Sequence, residues 1–269
     1  MSALRPPALR RYGQHHLVDP GTFAAIVAMA AVESDEVVLE VGAAAGALTE
    51  RLAERARLVH AFEIDRRFSG PLGDLAGVRR NVHVCLADAL HSRLQDLEPQ
   101  PGALVANLAY NIAIPLIMET IAGVPSIARW AVMLQKELAD RLFAEPRTKP
   151  YSAVSVLVQL ACERTGVRPV PRTVFSPRPN VDSAFVTFRR RETWPAAEYP
   201  VVETLVRTAF VQRRKMMVNS LEGATHGGRA LARDDVRRAL GALSLSETSR
   251  PEELGPETFV ALARALGWA

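Results

Sequence analysis

Gly42, Glu63, Asp88 and Asn107 each stand at the end of an apolar run, and their types suit a pocket for a nucleoside. Gly42 opens the stretch Gly42-Ala43-Ala44-Ala45-Gly46, whose small side chains let the backbone approach a ligand closely. The stretch is not a P-loop, because no Gly-Lys-Ser/Thr follows it. Glu63 comes 21 residues after Gly42, where a carboxylate can accept hydrogen bonds from both hydroxyls of a ribose. Asp88 can accept from the exocyclic amine of an adenine. Each carboxylate alone is more simply a helix cap. Together, at successive run ends, they point to a molecule containing adenosine. A dinucleotide and S-adenosylmethionine both fit that description.

Alternating strands and helices must hold these residues in register. Asp19-Pro20 starts a helix that continues to Ala31, with Asp as cap and Pro in the first turn. Residues 37–41 form an apolar strand, followed by a helix with Leu48 and Leu52 on one face and Glu50, Arg51 and Glu54 on the other. Further strands are expected over 58–64, 82–86, 103–106 and 130–134, and two more over 167–170 and 184–188. Helices are expected over 66–76, from 115 to 121, over 136–143 and from Ser152 to 160. This order predicts an α/β fold with a parallel, helix-covered sheet, in which ligands bind beyond the C-terminal strand ends. After about residue 191 the pattern changes. Thr193-Trp194-Pro195 reads as a linker, and helical stretches near 201–212, 233–242 and 257–266 follow without clear strands. The expected organisation is therefore a domain over 1–191 and a small helical domain over 192–269.

Composition excludes several classes. The 269 residues carry a net charge of +4 and are 48% hydrophobic, an ordinary globular balance. The longest apolar run, 23–32, is too short to span a bilayer, and no secretory signal pattern opens the chain. Cys85 and Cys162 are the only cysteines, which excludes a disulfide scaffold or a cysteine zinc site and suits a reducing cytoplasm. No metal site and no oligomer are implied. Only Lys136, Lys149 and Lys215 among the 33 basic residues are lysines. Arg189-Arg190-Arg191, Arg213-Arg214-Lys215 and Arg237-Arg238 cluster in the last third, as a polyanion-binding chain would have them.

Asn107-Leu108-Ala109-Tyr110 resembles the Asn-Pro-Pro-Tyr motif of amino-directed methyltransferases. The chemistry accounts for the residue types. An Asn side-chain oxygen and a neighbouring backbone carbonyl can accept the two N–H bonds of an exocyclic amine. They favour a tetrahedral nitrogen and stabilise the positive charge that develops as it attacks a methyl group. An aromatic ring such as Tyr110 can hold an extruded base by stacking.

Four further segments resemble one family, the bacterial small-subunit ribosomal-RNA adenine dimethyltransferases (the KsgA family). They are Tyr12-Gly13-Gln14-His15-His16-Leu17-Val18-Asp19; Met133-Leu134-Gln135-Lys136-Glu137 with Thr148-Lys149-Pro150-Tyr151-Ser152; Phe175-Ser176-Pro177-Arg178-Pro179-Asn180-Val181-Asp182-Ser183-Ala184; and Gln212-Arg213-Arg214-Lys215 with Asn219-Ser220-Leu221. The resemblance implies a Rossmann-like S-adenosylmethionine-dependent methyltransferase sheet with a small C-terminal helical domain. It also implies N6-dimethylation of two adjacent adenosines near the 3′ end of small-subunit rRNA, on the 30S particle, in the cytoplasm. By matched position it assigns cofactor contacts to His15, Leu17, Gly42, Glu63, Asp88 and Asn107. Asn107 and Tyr110 would serve the target base, and Phe175 would stack on it. Arg213, Arg214 and Lys215, with Arg10, Arg11 and Arg147 behind them, are the expected RNA contacts.

The chain departs from the family pattern at Ala44 (usually Gly), Ala109 (usually Pro), His15 (usually Asn), His16 (usually Phe) and Met216-Met217-Val218. Weaker cofactor binding than in a typical member is the expectation. Two alternatives follow: an Erm-type large-subunit rRNA adenine methyltransferase, or a catalytically weak RNA-binding assembly factor. A dehydrogenase is disfavoured, since nothing supplies an acid–base pair for hydride transfer.

Overall fold

The computed structural model describes residues 15–269. Tyr12, Gly13, Gln14, Arg10 and Arg11 lie outside the described residues. The chain divides into two compact units. One runs to Ala139 and resumes at Arg164–Arg190; the other takes Asp140–Glu163 and Arg191–Ala269. The third crossing, between Arg190 and Arg191, lies near residue 191, and the excursion over 140–163 departs from a simple division into 1–191 and 192–269.

The elements of the first unit, in chain order, are β1 (His16–Leu17), α1 (Pro20–Ala30), β2 (Val37–Val41), α2 (Ala47–Ala53), β3 (Leu58–Phe62), α3 (Ser69–Val78), β4 (Val82–Cys85), β5 (Ala103–Asn107), α4 (Ala113–Gly123) and β6 (Arg129–Gln135). Helix α5 (Lys136–Leu142) leads into the second unit, where α6 (Ala153–Ala161) lies, and β7 (Cys162–Val170) leads back to β8 (Phe175–Ser176) and β9 (Ser183–Arg190). Seven strands form one sheet in the order β4-β3-β2-β5-β6-β9-β7. Strands β4, β3, β2, β5 and β6 pair in parallel, while β9 pairs antiparallel with β6. The sheet is therefore mixed rather than wholly parallel.

The central strands read as unbroken apolar runs because both faces are covered: all five residues of β2 and the first four of β5 are buried. Helix α1 starts where the sequence places it. Asp19 Oδ2 accepts from the Thr22 N–H at 2.6 Å and the Thr22 hydroxyl at 2.7 Å, with Pro20 next in the chain. The chain leaves β2 toward β3 on one side and reaches β5 on the other, so the strand order reverses between β2 and β5. That reversal opens a crevice at their C-terminal ends. A two-stranded antiparallel ladder, β1 with β8, pairs Leu17 with Phe175 and His16 with Ser176.

The second unit is largely helical, with α7 (Tyr199–Phe210), α8 (Met217–Leu221), α9 (Arg233–Ala242) and α10 (Pro256–Ala265) beside α6. Tyr199, Leu205, Leu240 and Phe259 are fully buried in it. A small hairpin, β10 (Thr225–His226) with β11 (Arg229–Ala230), and the short α8 were not expected from periodicity. Both are too short to establish a pattern. No described helix is long and apolar enough to cross a membrane.

Candidate active site

A cleft opens at the reversal between β2 and β5. Its volume of about 210 Å³ is more than ten times the roughly 10–15 Å³ that admits one water, so it is scaled for an organic ligand. His15, Leu17, Gly42, Glu63, Asp88, Asn107, Tyr110 and Phe175 all line it. Eight positions spread over 161 residues of sequence thus meet in one place. Arg213, Arg214 and Lys215 lie elsewhere, in the second unit.

Backbone geometry at the end of β2 accounts for the glycine. Gly42 has φ +84°, and a Cβ built there would stand 3.5 Å from the Asn107 carbonyl oxygen across the reversal. The Gly42 and Ala43 N–H groups both donate to the Phe62 carbonyl, at 2.9 and 3.1 Å, which ties this end of β2 to β3. Ala44, where the family pattern has Gly, takes φ +49°. The left-handed conformation costs a residue with a Cβ about 1–2 kcal/mol, and the Ala44 N–H, donating to Glu63 Oε2 at 2.7 Å, helps hold it there.

Glu63 Oε1 accepts from the Asp65 N–H at 2.8 Å. The carboxyl is 4% exposed, and burial raises its pKa against the lowering effect of the two N–H donors. Each carboxylate oxygen has two acceptor sites, so the carboxylate has more acceptor sites than the Ala44 and Asp65 N–H groups use. Asp88 combines both readings of its sequence. Its Oδ1 accepts from the Leu90 N–H at 3.0 Å and caps a short 3₁₀ turn, and its Oδ2 meets His91 Nδ1 at 2.8 Å. It lines the cleft all the same.

Asn107 Nδ2 donates to the His15 carbonyl at 3.2 Å. One of the two amide hydrogens is thereby engaged, and Asn107, whose Oδ1 can only accept, lines the cleft. The Tyr110 hydroxyl meets Ser183 Oγ at 3.1 Å, and its ring packs on the His15 ring with centroids 5.4 Å apart. Burial raises the Tyr110 pKa, so the phenol stays neutral. Phe175 is only 4% exposed and belongs to the apolar core while bordering the cleft, so it anchors its loop as well as presenting a ring.

Glu40 was missed. It is 1% exposed, lines the cleft, and its Oε2 has no hydrogen-bond partner. Burial pushes its pKa up to about 8; the nearby Thr49 hydroxyl offsets part of this and the Glu63 charge adds to it. The sequence did carry a signal, a lone acid inside the apolar strand Val37-Val38-Leu39-Glu40-Val41.

Residues 8–245 match the family model described as ribosomal RNA adenine dimethylase. The chain belongs to this family. It is 43% identical over 99% of its length, and 98% of the relative's, to the ribosomal RNA small subunit methyltransferase A of Rubrobacter xylanophilus. It is 38% identical to the protein of that name from Geobacillus thermodenitrificans, covering 94% of this chain and 89% of the relative. Among solved structures it is similar to a dimethyladenosine transferase from Plasmodium falciparum, with TM-score 0.79, 26% identity, and 94% and 98% of the two chains covered. It is also similar to the 23S rRNA methyltransferase ErmE, with TM-score 0.68, 30% identity, and 93% and 99% covered. As a member of the family this protein is a methyltransferase of Rossmann-like fold. The Asn107–Tyr110 segment, the β1 segment and the Phe175 loop that carried the resemblance are the parts that converge on the cleft.

In the second unit, Arg213 is occupied internally. Its Nε and Nη2 meet Glu252 Oε2, each at 2.7 Å, and Nη1 donates to the carbonyls of Lys149 and Tyr151, each at 3.0 Å. An arginine so bound is a structural clamp within the second unit. By drawing 149–151 against 213 it gathers the exposed Arg147, Lys149, Arg214 and Lys215.

Proposed function

We propose that this protein transfers methyl groups from S-adenosylmethionine to N6 of two adjacent adenosines near the 3′ end of small-subunit rRNA, acting on the 30S particle in the cytoplasm. The single observation that carries this reading is the Asn107 carboxamide. Its nitrogen is held by the His15 carbonyl while its oxygen can accept, in a cleft that Tyr110 also lines. An acceptor fixed before the substrate arrives favours the rehybridised, positively charging nitrogen without reorganising during reaction.

The cleft suits the donor. The backbone at Gly42 admits close approach, and Glu63, whose oxygens take N–H bonds from Ala44 and Asp65, lines the cleft where ribose hydroxyls would lie. S-adenosylmethionine supplies an activated methyl group on a cationic sulfur. His15, Leu17, Gly42, Glu63, Asp88 and Asn107 would hold it; Tyr110 and Phe175 would flank the base; Arg147, Lys149, Arg214 and Lys215 would meet phosphates. The small-subunit target is supported by relatives 36–43% identical that bear that name.

The likeness to ErmE favours large-subunit rRNA as a second reading. Incubation with labelled S-adenosylmethionine and either unmethylated 30S particles or protein-free large-subunit RNA separates the two. Label at adjacent adenosines of the 30S RNA supports the proposal, and label confined to large-subunit RNA overturns it. Binding to immature 30S without label would identify an assembly factor. Asn107→Ala should lower the methyl-transfer rate roughly 10²–10³-fold, read under single-turnover conditions.

A further inference from the structure

Methylating an exocyclic amine leaves a proton to be removed. The amine nitrogen forms a bond to the methyl carbon as the C–S bond breaks; the sulfonium becomes a neutral thioether, and the nitrogen becomes cationic until it loses one N–H proton. Each of the two transfers releases one proton.

His15 sits where an acceptor would serve. Its Nδ1 lies 2.8 Å from the Pro177 carbonyl oxygen. A carbonyl only accepts, so Nδ1 carries a hydrogen in either charge state of the ring. The neutral ring therefore has its lone pair on Nε2. Nε2 has no hydrogen-bond partner among the described residues, and the ring lines the cleft against Tyr110. The same residue's carbonyl holds Asn107. The proposed amine acceptor is thus tied to the backbone of the residue that carries the imidazole, and the Pro177 carbonyl fixes the imidazole's tautomer.

Resting on the methyltransferase reading of the cleft, we propose that His15 Nε2 accepts the proton released from the methylated amine and passes it to solvent. The neutral ring works, whereas the protonated ring has no lone pair and adds positive charge beside a cationic donor. The other titratable or charged groups near it are His16 on its own strand, Glu40, Glu63 and Asp88 at the strand ends, Tyr110 opposite, and Arg178 and Asp182 on the Pro177 loop. Removing the His15 ring alone isolates its contribution from theirs.

Two measurements test this on the full chain. Nitrogen NMR of the histidine rings in the free protein should show His15 as the Nδ1–H tautomer; an Nε2–H tautomer overturns the proposal. Single-turnover methyl transfer to 30S particles, followed against pH, should show an acidic limb that vanishes in His15→Asn and His15→Gln. A limb unchanged in both variants overturns the proton-acceptor role while leaving the methyltransferase reading intact. No transfer by the wild type at any pH overturns both.

Discussion

Glu40 has the least comfortable position in the cleft. A carboxyl with folded pKa near 8 against a usual value of 4.5 holds a proton that the unfolded chain releases across that window. The folded state binds more protons there, so stability is greatest below about pH 4.5 as far as this group is concerned and falls as pH rises toward 8. The whole span is worth up to about 5 kcal/mol at 1.36 kcal/mol per pKa unit. Glu40→Gln keeps the shape and removes the titration. Urea unfolding at pH 5, 6, 7 and 8 should show the variant gaining stability relative to wild type at each step upward. A difference that stays flat with pH would mean that Glu40 is ionised in the fold. Ala44 bears on the same region: its left-handed φ and its N–H bond to Glu63 show how an alanine occupies a place that suits glycine.

Short elements position the site as much as the large sheet does. The β1–β8 ladder has only two residue pairs, yet it carries His15, Leu17 and Phe175 to the same cleft as the ends of β2, β3 and β5. In the second unit the comparable device is a single side chain. Arg213 joins the segment carrying Lys149 and Tyr151 to Glu252, and the Tyr151 hydroxyl donates to the Leu254 carbonyl at 2.7 Å alongside. Arg213→Met should destabilise the second unit by about 1–3 kcal/mol, because a half-buried carboxylate and two carbonyls lose their donor. Calorimetry should show earlier unfolding of that unit, while cofactor affinity, a property of the first unit, stays unchanged. Weakened cofactor binding without loss of thermal stability would argue against a structural clamp.

For the molecule as a whole, the question is what the excess of arginine does. Many arginines are paired within their own unit: Arg237 with Asp234 and Glu247, Arg264 with Glu198, Arg213 with Glu252. Arg147, Lys149, Arg214 and Lys215 are exposed and are drawn together by the Arg213 clamp. Neutralising Arg214 and Lys215 together should lower the slope of log affinity for 30S particles against log salt by up to about 2, roughly one for each phosphate that no longer meets a cation. Arg213→Met should leave that slope nearly unchanged. The opposite pattern, in which only Arg213 changes the slope, would place the RNA footprint at the clamp.

Much of this was legible in the chain alone. The strands read at 37–41, 58–64 and 103–106, found at 37–41, 58–62 and 103–107, and the cap at Asp19 were readable because a buried parallel strand must be apolar along its length and a helix start needs a side-chain acceptor. The acids at strand ends followed from the same periodicity, and the family from motifs spread over most of the chain. Local pattern carries no information about partners far along the chain, so the rest had to wait for the fold. The antiparallel turn of β9, the excursion of 140–163 into the second unit, the pairing of Leu17 with Phe175 and the enlistment of Arg213 by Glu252 all depend on interactions between distant residues. So does the tautomer of His15, decided by a carbonyl 162 residues away.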